Sequence, residues 1–477
     1  MKNPRKPSST ESSLFLSIDP EPIAETLTSM GGVPLLVRAY RSLGLPAMVR
    51  EHVEVKQRER GLDEAEMVES IVVLNAMGGE CFDDFLRLRE DAGLKEMLGH
   101  GIPSPDAARR FLYQFHEQDK IEEAKQGRAQ GQIAYIPEEN AALAGLGRVN
   151  HELVKELGRR CPDQRIATVD QDATIIESSN CAALRTYEGE RGYQPMLAVW
   201  AEMNVVLADE FRDGNVPAMM DPLAVAKRSF AALPETVTTY YFRGDSACHE
   251  CNLVDWLGDE NRADGPHGPI GFAISARMSV ALHEAIEKLD ESAWELYGKP
   301  HPEQIRECAE VAFVPGEKSE KKDTQPLRYL AIRIRDRQET LFADGSKVKH
   351  FAVVTNIDKW KPSRLIEWHR EKAGTIEGVH DVLKNELAAG IMPTKYFGTN
   401  AAWLRLAVLT YNLLTALKRL ALPAEYLTAR PKRLRFLIFN TPGRLVHHAR
   451  AILLRLAATA ERLAELLQAF NLLPLRA

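Results

Sequence analysis

A chain of 477 residues has room for roughly two to four domains, and 45% hydrophobic with 27% charged residues is the balance of a folded globular protein, which excludes a disordered or fibrous one. The formal net charge of −6 argues against a protein that coats nucleic acid without selectivity, although a local basic face can hide inside that sum. Six scattered cysteines exclude a disulfide framework, and no apolar run reaches the roughly 18 residues of a membrane span or follows Met1–Ser9 as a signal peptide would, so a cytoplasmic location is expected.

From about residue 15 to 160 the pattern is helical. Ile23–Leu43 and Glu64–Met77 repeat apolar residues at three- and four-residue spacing, with breaks at Gly31-Gly32, Gly61 and Gly99–Pro103. The clearest helix start is Ser104-Pro-Asp106, where Ser104 can cap, Pro105 takes the first helical position and Asp106 meets the positive helix end. Arg109 and Arg110 then project outward, suited either to DNA phosphates and base edges or to ordinary surface ion pairs. Near residue 161 the period changes to that of strands. Arg165–Thr174, Met196–Glu202 and Val205–Phe211 are followed by a helix over Pro222–Ala231 and a strand over Thr236–Phe242, the order of a mixed α/β core.

Residues 258–348 are expected to interrupt that core as a β-rich insertion. They open on a Gly/Asp/Pro-rich loop, contain strand candidates Ile270–Ser275, Val311–Val314 and Leu327–Ile334, and include the charged loop Gly316–Asp323. The core resumes with a strand over Phe351–Asn356 and helices over Ile376–Leu387 and Ala401–Leu420. The tail is expected to hold a long helix from about Arg444 to Leu467, basic through Arg433, Arg435, Arg444, Arg450, Arg455 and Arg462. The expected division is therefore a helical domain at 1–160, core segments at 161–257 and 349–425 around the insertion, and a helical basic tail at 426–477.

Four acidic residues, at three places in the chain, stand out. Asp170 and Asp172 lie two apart on a strand and so face one side of the sheet, a costly arrangement without a cation; a structural Ca²⁺ or a solvated edge would also accommodate them. Asp245 follows the fourth strand directly after Gly244, at the end of an α/β sheet where ligands gather. If Thr375 caps its helix, Glu377 falls in the first turn and Lys384 shares its face, although an exposed ion-paired helix would have the same pattern. Cys248-His-Glu-Cys251 has the spacing of half a zinc site, with no second pair at finger spacing.

Several stretches in this order resemble one family. They are Asp170-Gln-Asp-Ala-Thr174, Tyr187-Glu-Gly-Glu-Arg-Gly-Tyr-Gln-Pro195, Phe211-Arg-Asp-Gly-Asn-Val-Pro217, Arg243-Gly-Asp-Ser246 and Ala352-Val-Val-Thr-Asn356. The block from Trp368 through Glu377 and Lys384 to Asn400–Ala407 and Tyr411-Asn-Leu-Leu414 completes them. Together they resemble the DDE transposases of bacterial insertion sequences, most closely the group labelled IS-1380. Glu377 and Lys384 keep that family's six intervening residues, whereas its Arg and Tyr are replaced by Ala373 and Arg370, with Lys372 or Arg370 as substitutes.

The resemblance implies a ribonuclease-H-like catalytic core and a helical N-terminal domain that binds the terminal inverted repeats of a mobile element. It implies two Mg²⁺ ions, with Mn²⁺ able to substitute, held by Asp172, Asp245 and Glu377, with Asp170 the alternative to Asp172. Lys384 belongs to the expected catalytic set, and Lys372, Arg370, Arg243, Arg109 and Arg110 are the expected DNA contacts. The expected partners are double-stranded DNA, as element ends and as target, and a second copy of the chain in the synaptic complex. The competing expectations are a transposase-derived DNA-binding protein that has lost its chemistry, and a nuclease without strand transfer.

Overall fold

Ser104 caps its helix as its sequence context predicts: its hydroxyl accepts from the Ala107 N–H at 3.2 Å at the head of Pro105–Tyr113. The structure, a computed structural model, describes residues 21, 25–55, 61–315, 327–337, 342, 348–449 and 451–475; Met1–Ser9, the charged loop Gly316–Asp323 and Arg450 lie outside the described residues. Helices account for most of the described residues among the first 160 positions. Glu64–Ala76 starts in a full capping box between Asp63 and Glu66, and the 20-residue helix Ala141–Arg160 closes the segment. Within the periodic stretch Ile23–Leu43 the described residues, from Glu25 on, become helical at Val33, after Gly31 and Gly32 pass so close to the backbone of Ile438–Thr441 that a Cβ at either would collide with it.

Fifteen strands follow one another among the described residues: β1 (Leu27–Thr28), β2 (Ile166–Ala173), β3 (Ile176–Glu177), β4 (Leu184–Arg185), β5 (Arg191–Tyr193), β6 (Met196–Trp200), β7 (Val205–Glu210), β8 (Thr239–Gly244), β9 (Ile270–Ser275), β10 (Glu295–Leu296), β11 (Gln304–Val311), β12 (Arg328–Asp336), β13 (Val348–Thr355), β14 (Gly443–His448) and β15 (Ala451–Leu456). Nine form one mixed sheet in the order β10-β11-β12-β13-β9-β8-β2-β6-β7. At its centre β2 pairs antiparallel with β6 and parallel with β8, and β8 pairs parallel with β9. The mixed α/β class is the one expected.

Two expectations about placement change. Ile270–Ser275, assigned to the insertion, is a core strand beside β8: Phe272, Ala273 and Ile274 are all fully buried, as a strand covered on both faces requires. Strands β13, β12, β11 and β10 then continue the same sheet outward instead of building a separate one. The tail is also not one long helix. Gly443–His448 and Ala451–Leu456 form a hairpin that turns at Ala449, in the left-handed region at φ 54°, and β14 pairs with β1. Of the stretch expected to be one helix from Arg444 on, the described residues turn helical at Ala460–Asn471, capped by Thr459, while Pro431–Leu434 and Arg435–Phe439 form short helical turns before the hairpin. A Leu/Ala/Arg run carries too little periodic contrast to separate the two structures.

The helix Phe397–Leu420 is buried along nearly its whole length. Its Asn412 acts as a substitute strand at the free edge of the sheet: Oδ1 accepts from the Val206 N–H at 2.8 Å, while Nδ2 donates to the Val206 carbonyl and to Asn150 Oδ1, both at 2.7 Å. Asn412→Leu should therefore destabilise the protein by about 1–3 kcal/mol, because it strands the buried Val206 N–H and Asn150 Oδ1, while the Val206 carbonyl keeps Asn150 Nδ2 at 3.0 Å. A urea unfolding midpoint measures this. Among the described residues no helix is long and apolar enough to cross a membrane.

Candidate active site

The register of the central strands brings two carboxylates together. Asp170 lies opposite Arg243 and Gln171 opposite Gly244, so the next pair along the parallel strands β2 and β8 is Asp172 and Asp245, on chains about 4.8 Å apart. Gly244 is required there: a Cβ on it would come within 2.5 Å of the Cys248 Cβ. Asp245 then turns the chain, accepting from the Ala247 N–H at 3.1 Å.

Asp170 and Asp172 both face the helix Lys372–Glu386 but do different things. Asp170 is fully buried and accepts from Arg243 Nε at 2.6 Å and Nη2 at 2.9 Å, as well as from the Thr375 hydroxyl. That pairing satisfies it. Arg243 in turn donates to the Trp368 carbonyl at 2.6 Å and reaches Glu371 at 3.4 Å. With its side chain only 2% exposed, Arg243 has no face left for a phosphate, which corrects its expected role as a DNA contact. Asp172, more open, accepts from Lys372 Nζ at 2.9 Å.

Electrostatics mark this spot. Burial, then the like charge of Asp172, holds the Asp245 carboxyl above the usual carboxylate range against the pull of Lys372 and two backbone N–H groups. Burial works against the charge on Lys372, yet Asp172 and Asp245 outweigh it and hold the ammonium above its ordinary range. His380 lies in the same field, pushed down to about 4, mainly by burial, and its Nε2 has no hydrogen-bond partner among the described residues. Lys384 donates to Thr174 Oγ1 at 3.0 Å and to the Ile175 carbonyl at 3.2 Å, at the exit of β2.

Glu377 is not gathered with the other two acids. It is exposed and makes no hydrogen bond or ion pair among the described residues. The cause is helix phase. The helix begins at Lys372 and not after Thr375, whose hydroxyl is turned inward to Asp170. With Lys372 directed at Asp172, a residue five positions later lies about 140° further round. Among the described residues no three of His, Cys, Asp or Glu are close enough to hold an ion. The donor chemistry at Asp172 and Asp245 nevertheless fits a divalent cation: two neighbouring carboxylates, one of them destabilised by the other, with an ammonium already seated against them.

The expected DNA contacts are dispersed. Arg109 pairs with Asp106 at 2.6 Å and lies over the Phe82 ring, Arg110 is exposed, and Arg370 donates to the Tyr297 hydroxyl at 2.9 Å. Lys372, assigned to phosphate, is seated on Asp172. Sequence reasoning missed His380 and the role of Thr375. The apolar period of the helix could have placed His380 on its buried side, next to Ile376, Val379 and Leu383.

The raised Asp245 carboxyl has a consequence for stability. When a folded-state pKa lies above the unfolded one, near 3.9, the native state holds the extra proton between the two values, and stability falls as pH rises through that window. Asp245→Asn should thus unfold at a higher temperature than the parent at neutral pH without divalent ions. The gap should close in acid, as a pH series of thermal midpoints would record.

Residues 21–476 match the family described as Transposase DDE domain group 1. Among solved structures, a piggyBac transposase synaptic complex with hairpin DNA is similar at a TM-score of 0.47 and 10% identity, over 84% of this chain and 78% of that one. Among curated proteins, none matches.

Proposed function

The chain belongs to the transposase DDE domain family, group 1, and from that premise we propose that it cuts DNA phosphodiesters at the ends of a mobile element and joins them to a target, using Asp172, Asp245 and Glu377. The observation that carries this reading is the pairing of Asp172 with Asp245 at the ends of two parallel strands, beneath Lys372. Asp172 and Asp245 would hold Mg²⁺, or Mn²⁺ in its place, and Glu377, on the helix that carries Lys372, would complete the set. Bound there, a metal pair would supply the positive charge that activates an attacking water or 3′-hydroxyl and stabilises the leaving oxygen of an in-line displacement.

The chain's own groups do the rest. The buried Asp170–Arg243 pair fixes the two strands that present the acids, and the Thr375 hydroxyl ties the Lys372–Glu386 helix to the same pair. Lys372 neutralises the acids and offers a cation to a phosphate brought among them. Lys384 holds the β2 exit and reaches for the strand beside the cut. Double-stranded DNA is the substrate, the helical N-terminal region its recognition element, and two copies of the chain the unit that pairs two ends. A second reading, DNA binding without chemistry, is favoured by the separation of Glu377 from the acid pair and by Ala373 and Arg370 standing where the family has Arg and Tyr.

Nicking of end-bearing DNA in Mg²⁺, followed by joining of a pre-cut 3′ end to target, separates the readings: both steps support transposition, nicking alone a nuclease, and neither step the inactive protein. Lys384→Ala should weaken end binding about tenfold and lower the salt slope of the binding constant by about one. Fluorescence anisotropy across a salt series measures both.

A further inference from the structure

Lys372 stands where a divalent ion held by the acid pair would sit. Its Nζ donates to Asp172 Oδ2 at 2.9 Å, and the charge of Asp245 adds to the attraction that keeps the ammonium there. The contact shields both groups, leaving the Lys372 side chain 11% exposed and that of Asp172 20%. The start of the helix is pinned independently. The Thr375 hydroxyl meets both Asp170 and the Lys372 carbonyl, the latter at 3.0 Å. The backbone of Lys372 is thereby held in place while its flexible stem keeps the freedom to swing.

Two cations cannot share these acids. A divalent ion bound by Asp172 and Asp245 would lie within a few ångströms of the ammonium, where like charges in a partly buried site repel strongly, so seating the ion requires Lys372 to leave. Once displaced, the ammonium has lost its counter-charge, and a DNA phosphate brought to the acid pair supplies a new one. We propose that Lys372 is a displaceable counter-ion that makes metal and DNA bind cooperatively: DNA draws it off Asp172, metal pushes it off, and each therefore tightens the other. The inference rests on the reading of Asp172 and Asp245 as metal-holding acids, and it names what controls their loading. Without DNA the acid pair holds metal weakly, which confines the chemistry to the DNA complex. The coupling is reciprocal, as any linkage between two binding equilibria must be.

The test titrates Mn²⁺ into the full-length protein, with and without a duplex carrying the element's end, and follows free Mn²⁺ by electron paramagnetic resonance. In the parent, DNA should tighten Mn²⁺ about ten- to hundredfold, the usual range of a coupling between sites. Without DNA, Lys372→Met and Lys372→Gln should bind Mn²⁺ about tenfold more tightly than the parent and should lose most of the gain that DNA brings. Lys372→Arg should keep the parent's pattern. Circular dichroism on the same samples confirms that each variant is folded. Equal Mn²⁺ affinity of the parent and the folded neutral variants without DNA overturns the proposal and leaves the acid pair standing. A parent that binds Mn²⁺ equally well with and without DNA overturns it as well, whatever the variants do. Mn²⁺ held as tightly by Asp172→Asn and Asp245→Asn as by the parent removes the acid-pair reading, and the proposal with it.

Discussion

Asp245→Ala should reduce Mg²⁺-dependent cleavage of end DNA by at least about 10²–10³-fold, the scale of losing one preorganised charged group from a reaction centre, with end binding unchanged. The expectation follows from placement. Asp245 stands beside Asp172 at the carboxyl ends of β2 and β8, and ionising it is opposed by burial and by its neighbour. That arrangement costs stability in the absence of a cation, as expected of an acid placed to hold one. The same substitution should leave folding intact or improve it, since it relieves the repulsion. Loss of cleavage together with loss of folding would point instead to a structural carboxylate. Single-turnover cleavage assays, with circular dichroism and anisotropy on the same samples, distinguish these outcomes.

Asp170→Ala should behave in the opposite way. Asp170 and Arg243 are almost fully buried and joined by two hydrogen bonds, with Thr375 as a third contact. Removing the carboxylate leaves a buried guanidinium without its counter-charge, at a cost of about 3–5 kcal/mol. Arg243→Ala should cost a similar amount, and the double variant less than the sum of the two, because each single change strands its partner. Chemical unfolding of the three variants measures the coupling. Stabilities unchanged in both single variants would show that the pair does not hold β2 and β8 in register.

Much of the scaffold was legible because it depends on local pattern. The alternation of Arg165–Thr174, the helix at Pro222–Ala231 and the Ser104 cap are settled by neighbours in sequence, and they emerge within a residue or three of their expected ends. What escaped depends on contacts distant in sequence. Arg243 reads as a free cation until β8 is laid against β2, which places it opposite Asp170. The contact of Lys372 with Asp172 spans 200 residues. The phase of Glu377 turns on whether Thr375 caps a helix or reaches inward to a buried acid, and only the tertiary partner decides that. The Gly443–Leu456 hairpin escaped because its leucines suit either period, and pairing with Leu27–Thr28, more than 400 positions earlier, selects the strand.

The central claim is that Asp172 and Asp245 jointly hold a divalent ion used on DNA. Titration of Mn²⁺ into the end-DNA complex, followed by electron paramagnetic resonance, tests it most directly. The account predicts bound Mn²⁺ in the parent and its loss in both Asp172→Asn and Asp245→Asn, with DNA binding retained. Equal Mn²⁺ binding by the parent and the two variants would contradict it.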